Sequence, residues 1–368
     1  LFIFQKVFDE PMVSITGTSM RRLVDVTHKS LKMLKSYGIF LGMVIVSAAA
    51  MSQRSPASIR LVGDTADVLT STNGGVVLIG GGGLAKGAFE WMAANSGGGD
   101  AVIVRSADTF SYTEEFFRAG KLNSIETLLI DSREKADDDR VAAVIRNAEL
   151  LFLPGGDQSR YMRLWRDTKT EAAINYLLND KKVPVGGTSA GCAVLTGFYY
   201  SGEKGSATMD ALKNPYDTTV TLYNNDFLQP AALRNVLSDQ HYVARKRQGR
   251  HVVFLARIIR DWSSFPKGIA PDERTAVIVD SKGQAKVFGE GKAYFIETFE
   301  GATPEVCEPR RPLDWRAGTR ALRVYEVQGT PSGNGRFDVI RFRTRKAKGG
   351  TWYWWWVENG ELKTRKIE

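Results

Sequence analysis

From Gly75 onward, short apolar runs alternate with amphipathic stretches. The runs Val76 to Ile79, Ala101 to Val104, Thr127 to Ile130, Leu150 to Leu153 and Val183 to Val185 read as buried strands. Between them, apolar positions recur at helical spacing near Ala85 to Asn95, Tyr112 to Ala119, Asp137 to Asn147 and Arg160 to Asn179. Continuous apolar strands that alternate with helices predict an α/β fold: a mainly parallel, doubly wound sheet covered on both faces. Ligands of such sheets sit at the carboxyl ends of the strands. Three of those ends are glycine-rich, at Gly80 to Gly83, Gly155-Gly156 and Gly186-Gly187.

Beyond Phe198 the pattern loosens, then resumes at Val220 to Leu222 and in a helix predicted from about Tyr242 to Arg260. Thr275 to Val279 and Lys286 to Phe288 read as paired strands turning at Ser281 to Gly283. Pro304, Pro309 and Pro312 mark a change of composition. After them come Leu322 to Val327, Phe337 to Phe342, and a hairpin in which Asn359-Gly360 joins Trp352 to Val357 with Leu362 to Ile367. The divisions are thus 1–50, a linker at 51–74, a main domain at 75–300 and a small C-terminal β region at 301–368. The tail mixes Trp352, Trp354, Trp355 and Trp356 with Arg341, Arg343, Arg345, Lys346 and Lys348. An amphipathic hairpin packing one aromatic face inward accounts for this mixture more simply than a stacking platform for a polymer.

Residues 20–50 follow the grammar of an export signal. Arg21, Arg22, Lys29, Lys32 and Lys35 precede the apolar stretch Gly38 to Val46, and Ala48 and Ala50 suit a signal peptidase. Export to the periplasm or beyond is therefore expected, with the signal ending near Ala50 and no stable membrane span after its removal. The first nineteen residues precede a better start at Met20. The net charge is +9, and the residues after position 50 hold 44 basic and 38 acidic side chains. That excess is too diffuse to predict nucleic-acid binding. With only Cys192 and Cys307, and no Cys/His cluster, neither a disulfide framework nor a metal site is expected, and no cofactor is implied.

The run Pro184-Val185-Gly186-Gly187-Thr188-Ser189-Ala190-Gly191 has the pattern of a nucleophile elbow. A serine on a tight strand-to-helix turn needs small neighbours, and the helix start behind it favours negative charge. Glycine-rich strand ends also bind phosphates or simply turn. Gly80 to Gly83, however, has neither Walker nor dinucleotide spacing and reads as a tight turn beside the site's rim. The serine needs a base. Of three histidines, His28 lies in the signal-like segment and His251 reads as a packing residue of the long helix. His241, in Asp239-Gln240-His241, is the remaining candidate.

In chain order, Gly155-Gly156-Asp157-Gln158, Gly187-Thr188-Ser189-Ala190-Gly191, Asp239-Gln240-His241 and then Arg245, Arg247 and Arg250 together resemble the cyanophycinase-like serine peptidases. These are relatives of the aspartyl dipeptidases with a class I glutamine amidotransferase-like fold, and the resemblance spans about Val76 to Ile296. It implies that Ser189 is the nucleophile, His241 the general base, and the N–H groups of Gly156 and Ala190 the oxyanion hole. It also implies that Gln158, Asp239 and Gln240 position substrate, and that Arg245, Arg247 and Arg250 clamp its carboxylate. The third, acidic member is expected between serine and histidine, at Asp210 or, as the alternative, Glu203. One departure is Arg274, where relatives tend to carry asparagine. The activity implied is cleavage of β-aspartyl peptide bonds in cyanophycin or related β-Asp-Arg peptides by an exported serine hydrolase, through an acyl-enzyme. The alternatives are an α-aspartyl dipeptidase or a non-catalytic relative that binds a polymer. The partner is a peptide or cyanophycin-like polymer, with homodimerisation left open.

Overall fold

A computed structural model describes residues 55–83, 85–107, 112–342 and 347–368. The export-signal reading falls on residues outside this set. The strands are β1 (Ser58–Gly63), β2 (Gly75–Ile79), β3 (Asp100–Arg105), β4 (Ser124–Leu129), β5 (Leu150–Leu153), β6 (Pro184–Thr188), β7 (Phe198–Tyr200), β8 (Leu222–Asn224) and β9 (Val236–Ser238). They continue with β10 (Lys267–Pro271), β11 (Thr275–Asp280), β12 (Gln284–Gly289), β13 (Lys292–Glu297), β14 (Leu322–Gln328), β15 (Asn334–Asp338), β16 (Gly350–Glu358) and β17 (Glu361–Lys366). The helices are α1 (Lys86–Asn95), α2 (Thr113–Ala119), α3 (Arg133–Ala136), α4 (Asp139–Asn147), α5 (Gln158–Trp165), α6 (Lys169–Tyr176), α7 (Ala190–Ala193) and α8 (Gln248–Trp262).

The α/β class is the one predicted. Nine strands form one sheet in the order β1-β4-β3-β5-β6-β2-β11-β12-β15, with β4, β3, β5, β6 and β2 parallel. Their apolar runs are almost wholly buried, as a parallel sheet with helices on both faces requires. On one side, Val77, Ile79 and Phe152 pack with Phe89, Met92 and Phe116 of α1 and α2. The helix predicted at Arg160 to Asn179 is two helices, because Asp167 adopts a left-handed backbone (φ 59°) between α5 and α6.

The pattern did not foretell how far the second sheet extends. Eight strands run in the order β17-β16-β14-β13-β10-β9-β7-β8. Tail strand β14 lies antiparallel to β13, and β16 to β14. The predicted hairpin is present, with Asn359 and Gly360 both at positive φ between β16 and β17. Trp355 and Val357 are buried with Leu322, Val324 and the α8 residues Phe254, Leu255 and Ile258. Trp352 packs instead near Tyr325 and Phe337, in the core that also holds Val277, Val279 and Val287 of the first sheet. The aromatic tail is thus largely structural, and Arg320 and Arg365 lie over the rings of Trp354 and Trp356.

Helix α8 starts at Gln248, six residues later than predicted, because His241 and Lys246 both have positive φ and the chain turns between them. The late start aims Arg250 and His251 inward, and both are buried. Burial pushes the His251 imidazole down to about 4. A histidine that is neutral when folded and titrates near 6.5 when unfolded takes up protons on unfolding between those values. Its contribution is complete above pH 6.5 and is lost as pH falls toward 4. Urea denaturation should therefore show stability dropping by about 2 kcal/mol between pH 6.5 and 5. His251→Asn, compared with the parent at the same two pH values, should flatten that drop.

Candidate active site

The carboxyl ends of β2, β5, β6, β9 and β10 converge, and each passes directly into a loop that supplies part of the site. Ser189 follows β6 with φ 51° and ψ −110°, a conformation that costs a non-glycine residue energy and persists only where the surroundings impose it. Its N–H is fixed by the carbonyl of Ile79 at 3.0 Å. The small neighbours are a steric necessity. A Cβ on Gly187 would lie 2.5 Å from the Gly191 backbone, and one on Gly191 would lie 2.1 Å from the Leu153 carbonyl oxygen. The elbow closes because these two glycines let β6, α7 and β5 touch.

Ser189 Oγ lies 2.9 Å from Nε2 of His241, and His241 Nδ1 lies 2.7 Å from Oε1 of Glu273. With Nδ1–H donating to the carboxylate, Nε2 is left free to accept the hydroxyl proton. Burial lowers the His241 pKa below its ordinary 6.5, and Arg245 and Arg247 push the same way, while the bond to Glu273 opposes them. The bond to His241 in turn holds the Glu273 carboxyl below the usual carboxylate range.

This arrangement corrects the expected acidic member. Asp210 is exposed and hydrogen-bonds Thr208 at 3.0 Å, in the short 3₁₀ turn Met209–Leu212. Glu203 accepts from the Tyr223 hydroxyl at 2.8 Å. Neither touches His241. The acid on Nδ1 follows the histidine in sequence, because β10 lies parallel to β9 and delivers Asp272-Glu273 beside Asp239-Gln240-His241. Asp272 braces the same loop, its Oδ1 accepting from the N–H groups of Val243 (2.9 Å) and Ala244 (3.0 Å).

The Gly80–Gly83 turn does more than flank the site. Gly80 O accepts the His241 N–H at 2.8 Å, and Gly81 O accepts the Arg274 N–H at 2.8 Å. Gly81, at φ 88°, sits so close to the imidazole that a Cβ there would lie 2.4 Å from its Cε1. The turn is a seat for the ring. The sequence signalled it with a glycine run at a strand end, without showing what it would touch.

The remaining candidates divide. A Cβ on Gly155 would lie 3.3 Å from Ser189 Cβ, and the adjoining Gly156, at φ 143°, faces open space. Ala190 begins α7, so its N–H has no acceptor within the helix. Both proposed oxyanion donors therefore flank the serine. Gln158 opens α5, just after Asp157 caps it. Asp239, Arg247 and Arg250 are committed elsewhere. Asp239, buried, accepts from Arg250 at 2.8 and 2.5 Å, and Arg247 donates to the carbonyl of buried Gln240 at 2.9 Å. Burial alone would raise the Asp239 carboxyl, but the Arg250 guanidinium outweighs it and the net shift is downward. The three-arginine clamp is thus not assembled at the surface. Of its members only Arg245 is exposed, close enough to influence both His241 and Glu273. Among the described residues, no group of His, Cys, Asp and Glu could hold a metal ion.

A strained serine on a strand-to-helix elbow, relayed through histidine to a carboxylate in an α/β fold, defines the site as of the serine-hydrolase kind. Residues 101–227 match the model of peptidase family S51. The chain is 29% identical over 211 residues to a cyanophycinase of Synechococcus elongatus, covering 55% of this chain and 60% of that protein. It is 28% identical over 178 residues to one of Trichormus variabilis, covering 48% and 54%. These matches agree with the resemblance to such peptidases that the motif order carries. The chain spans about 60% of the length of the first of these relatives. Among solved structures it is similar to a peptidase from an acI-B1 actinobacterium (17% identity, TM-score 0.45, covering 61% of this chain and 91% of that one). It is also similar to a putative peptidase E of Listeria monocytogenes (15% identity, TM-score 0.35, covering 57% and 96%).

Gly81→Ala tests the seat. Its methyl group would displace the imidazole, and a misplacement of about 1 Å costs on the order of 100-fold in rate. Turnover should fall by about that factor while the circular dichroism spectrum stays that of the parent.

Proposed function

We propose that this chain is a serine peptidase that cleaves β-aspartyl peptide bonds, in cyanophycin or in related β-Asp-Arg peptides. The observation that carries the reading is the unbroken relay from Ser189 Oγ through His241 to Glu273, at 2.9 and 2.7 Å. The substrate class is supported by the likeness to proteins named cyanophycinase and by the exposed Arg245 beside the relay. A guanidinium fork suits the free carboxylate of an aspartyl residue.

In this mechanism Ser189 Oγ attacks the amide carbonyl as its proton passes to His241 Nε2. Glu273 stays ionised, keeps the ring oriented and stabilises the imidazolium. The carbonyl oxygen, now negative, is met by the N–H groups of Ala190 and Gly156. His241 returns the proton to the leaving amine, and the C–N bond breaks to give an ester on Ser189. Water, deprotonated by His241, then hydrolyses that ester and restores the serine. Gln158 and Gln240 act in the proposal as positioning amides. Export by the segment at 20–50 is part of the same proposal. N-terminal sequencing of the protein recovered outside the cytoplasm is its check, and a mature end well before Ala48 counts against it.

Turnover of β-aspartyl-arginine, read by mass spectrometry, tests the mechanism. Ser189→Ala should abolish acylation by a serine-directed probe. Glu273→Gln should lower kcat on the order of 10,000-fold, as loss of the orienting carboxylate does in triads, whereas Asp210→Ala should stay within about twofold. If Asp210→Ala were the more damaging change, the assignment of Glu273 would be wrong. The pH dependence carries a sign as well. His241 must be neutral to accept the proton and its pKa is lowered, so kcat/KM should rise with pH through a midpoint below 6.5 and plateau by neutrality.

A further inference from the structure

Glu203, the alternative expected for the catalytic acid, has surroundings of its own. It lies exposed in the loop 201–207, next to Gly202, and a Cβ on Gly202 would lie 3.0 Å from the side-chain amide nitrogen of Gln158. Gln158 opens α5 only two residues after Gly156, so this loop borders the segment that holds the proposed oxyanion donor. The loop is anchored. The Tyr200 hydroxyl donates to the Gly205 carbonyl (2.7 Å) and accepts the Ala207 N–H (2.8 Å), and Arg250 donates to Ser206 Oγ (3.2 Å) and the Ala207 carbonyl (3.1 Å). Arg250 is the same guanidinium that holds Asp239, two residues before His241. One buried cation thus ties the loop to the general-base side of the site.

The Glu203 carboxylate is oriented but not neutralised. The Tyr223 hydroxyl donates to Oε1 at 2.8 Å, and the Tyr223 ring is itself stacked on Tyr199 (centroids 5.2 Å apart, planes 8° apart). Among the described residues no Lys, Arg or His nitrogen pairs with it. The opposite charge is supplied by exposed Arg245, which is close enough to His241 to lower its pKa.

We infer that Glu203 determines specificity for the leaving side of the substrate, receiving a cationic side chain of the arginine or lysine class, with Tyr223 as its positioning residue. The inference rests on the hydrolase reading above and deepens it. The groove is then charged asymmetrically, cationic toward the acyl half and anionic toward the amine half, and a β-aspartyl-arginine unit matches it in one direction only. An exposed ion pair of this kind is worth a few-fold in affinity, so the effect belongs in selectivity and not in the chemistry.

The test compares kcat/KM for β-aspartyl-arginine, β-aspartyl-leucine and β-aspartyl-glutamate. In Glu203→Gln the arginine-to-leucine ratio should fall about fivefold, through KM. In Glu203→Lys the arginine-to-glutamate preference should invert. Tyr223→Phe should move the arginine-to-leucine ratio in the same direction by less. An unchanged ratio, or equal losses on all three substrates, would overturn the assignment, the latter marking a merely structural loop. Calorimetric binding of β-aspartyl-arginine and β-aspartyl-leucine to Ser189→Ala separates this from the hydrolase reading. A parent that cleaves none of the dipeptides sinks that reading. The arginine preference, lost in Ser189→Ala with Glu203→Gln, still decides Glu203, and its absence from Ser189→Ala rejects the role.

Discussion

The bond between His241 Nδ1 and Glu273 is the contact on which the site depends, and it is a product of topology before it is one of chemistry. Parallel pairing of β9 and β10 sets the histidine loop and the acidic connector side by side. Antiparallel pairing of β11 with β2 then folds residues 272–274 over the Gly80–Gly83 turn. Two main-chain bonds, from His241 to Gly80 and from Arg274 to Gly81, fasten the layers together. The left-handed backbone at Ser189 and at His241 is tolerated because strands on either side leave those residues no other path.

What the sequence disclosed follows from how local each signal is. The elbow is written in contiguous residues, because its sterics involve β6, α7 and the strand beside them, and small side chains at fixed offsets announce it. The histidine was identifiable because so few exist and another reads as helix packing. Glu273 was not, because its role arises from a strand pairing between segments about thirty residues apart, and a carboxylate search confined to the stretch between serine and histidine could not reach it. A signal was nonetheless present: Asp272-Glu273 directly follows the apolar strand ending at Pro271, where a parallel sheet presents its chemistry.

The arginines teach the complementary lesson. The resemblance implied a shared task for them, but whether they can share a face depends on where the helix starts. Because α8 begins at Gln248, Arg250 turns into the core and Arg247 folds back on the Gln240 carbonyl, while Arg245 stays outside. The Asp239–Arg250 pair is then an internal brace. Removing either partner would leave a buried charge without its counterpart, a change that typically costs several kcal/mol. Loss of activity on mutating either would therefore say nothing specific about substrate contact.

The two thiols have a practical bearing on chemistry outside the fold. Cys192, three residues beyond Ser189, and Cys307 are both buried, and burial pushes the Cys307 thiol up to about 11 and that of Cys192 up as well. At neutral pH both sulfurs are protonated and shielded, hence poor nucleophiles. An electrophilic reagent thus meets no competing thiolate, and the stoichiometry of its adduct on intact protein counts competent hydroxyls directly.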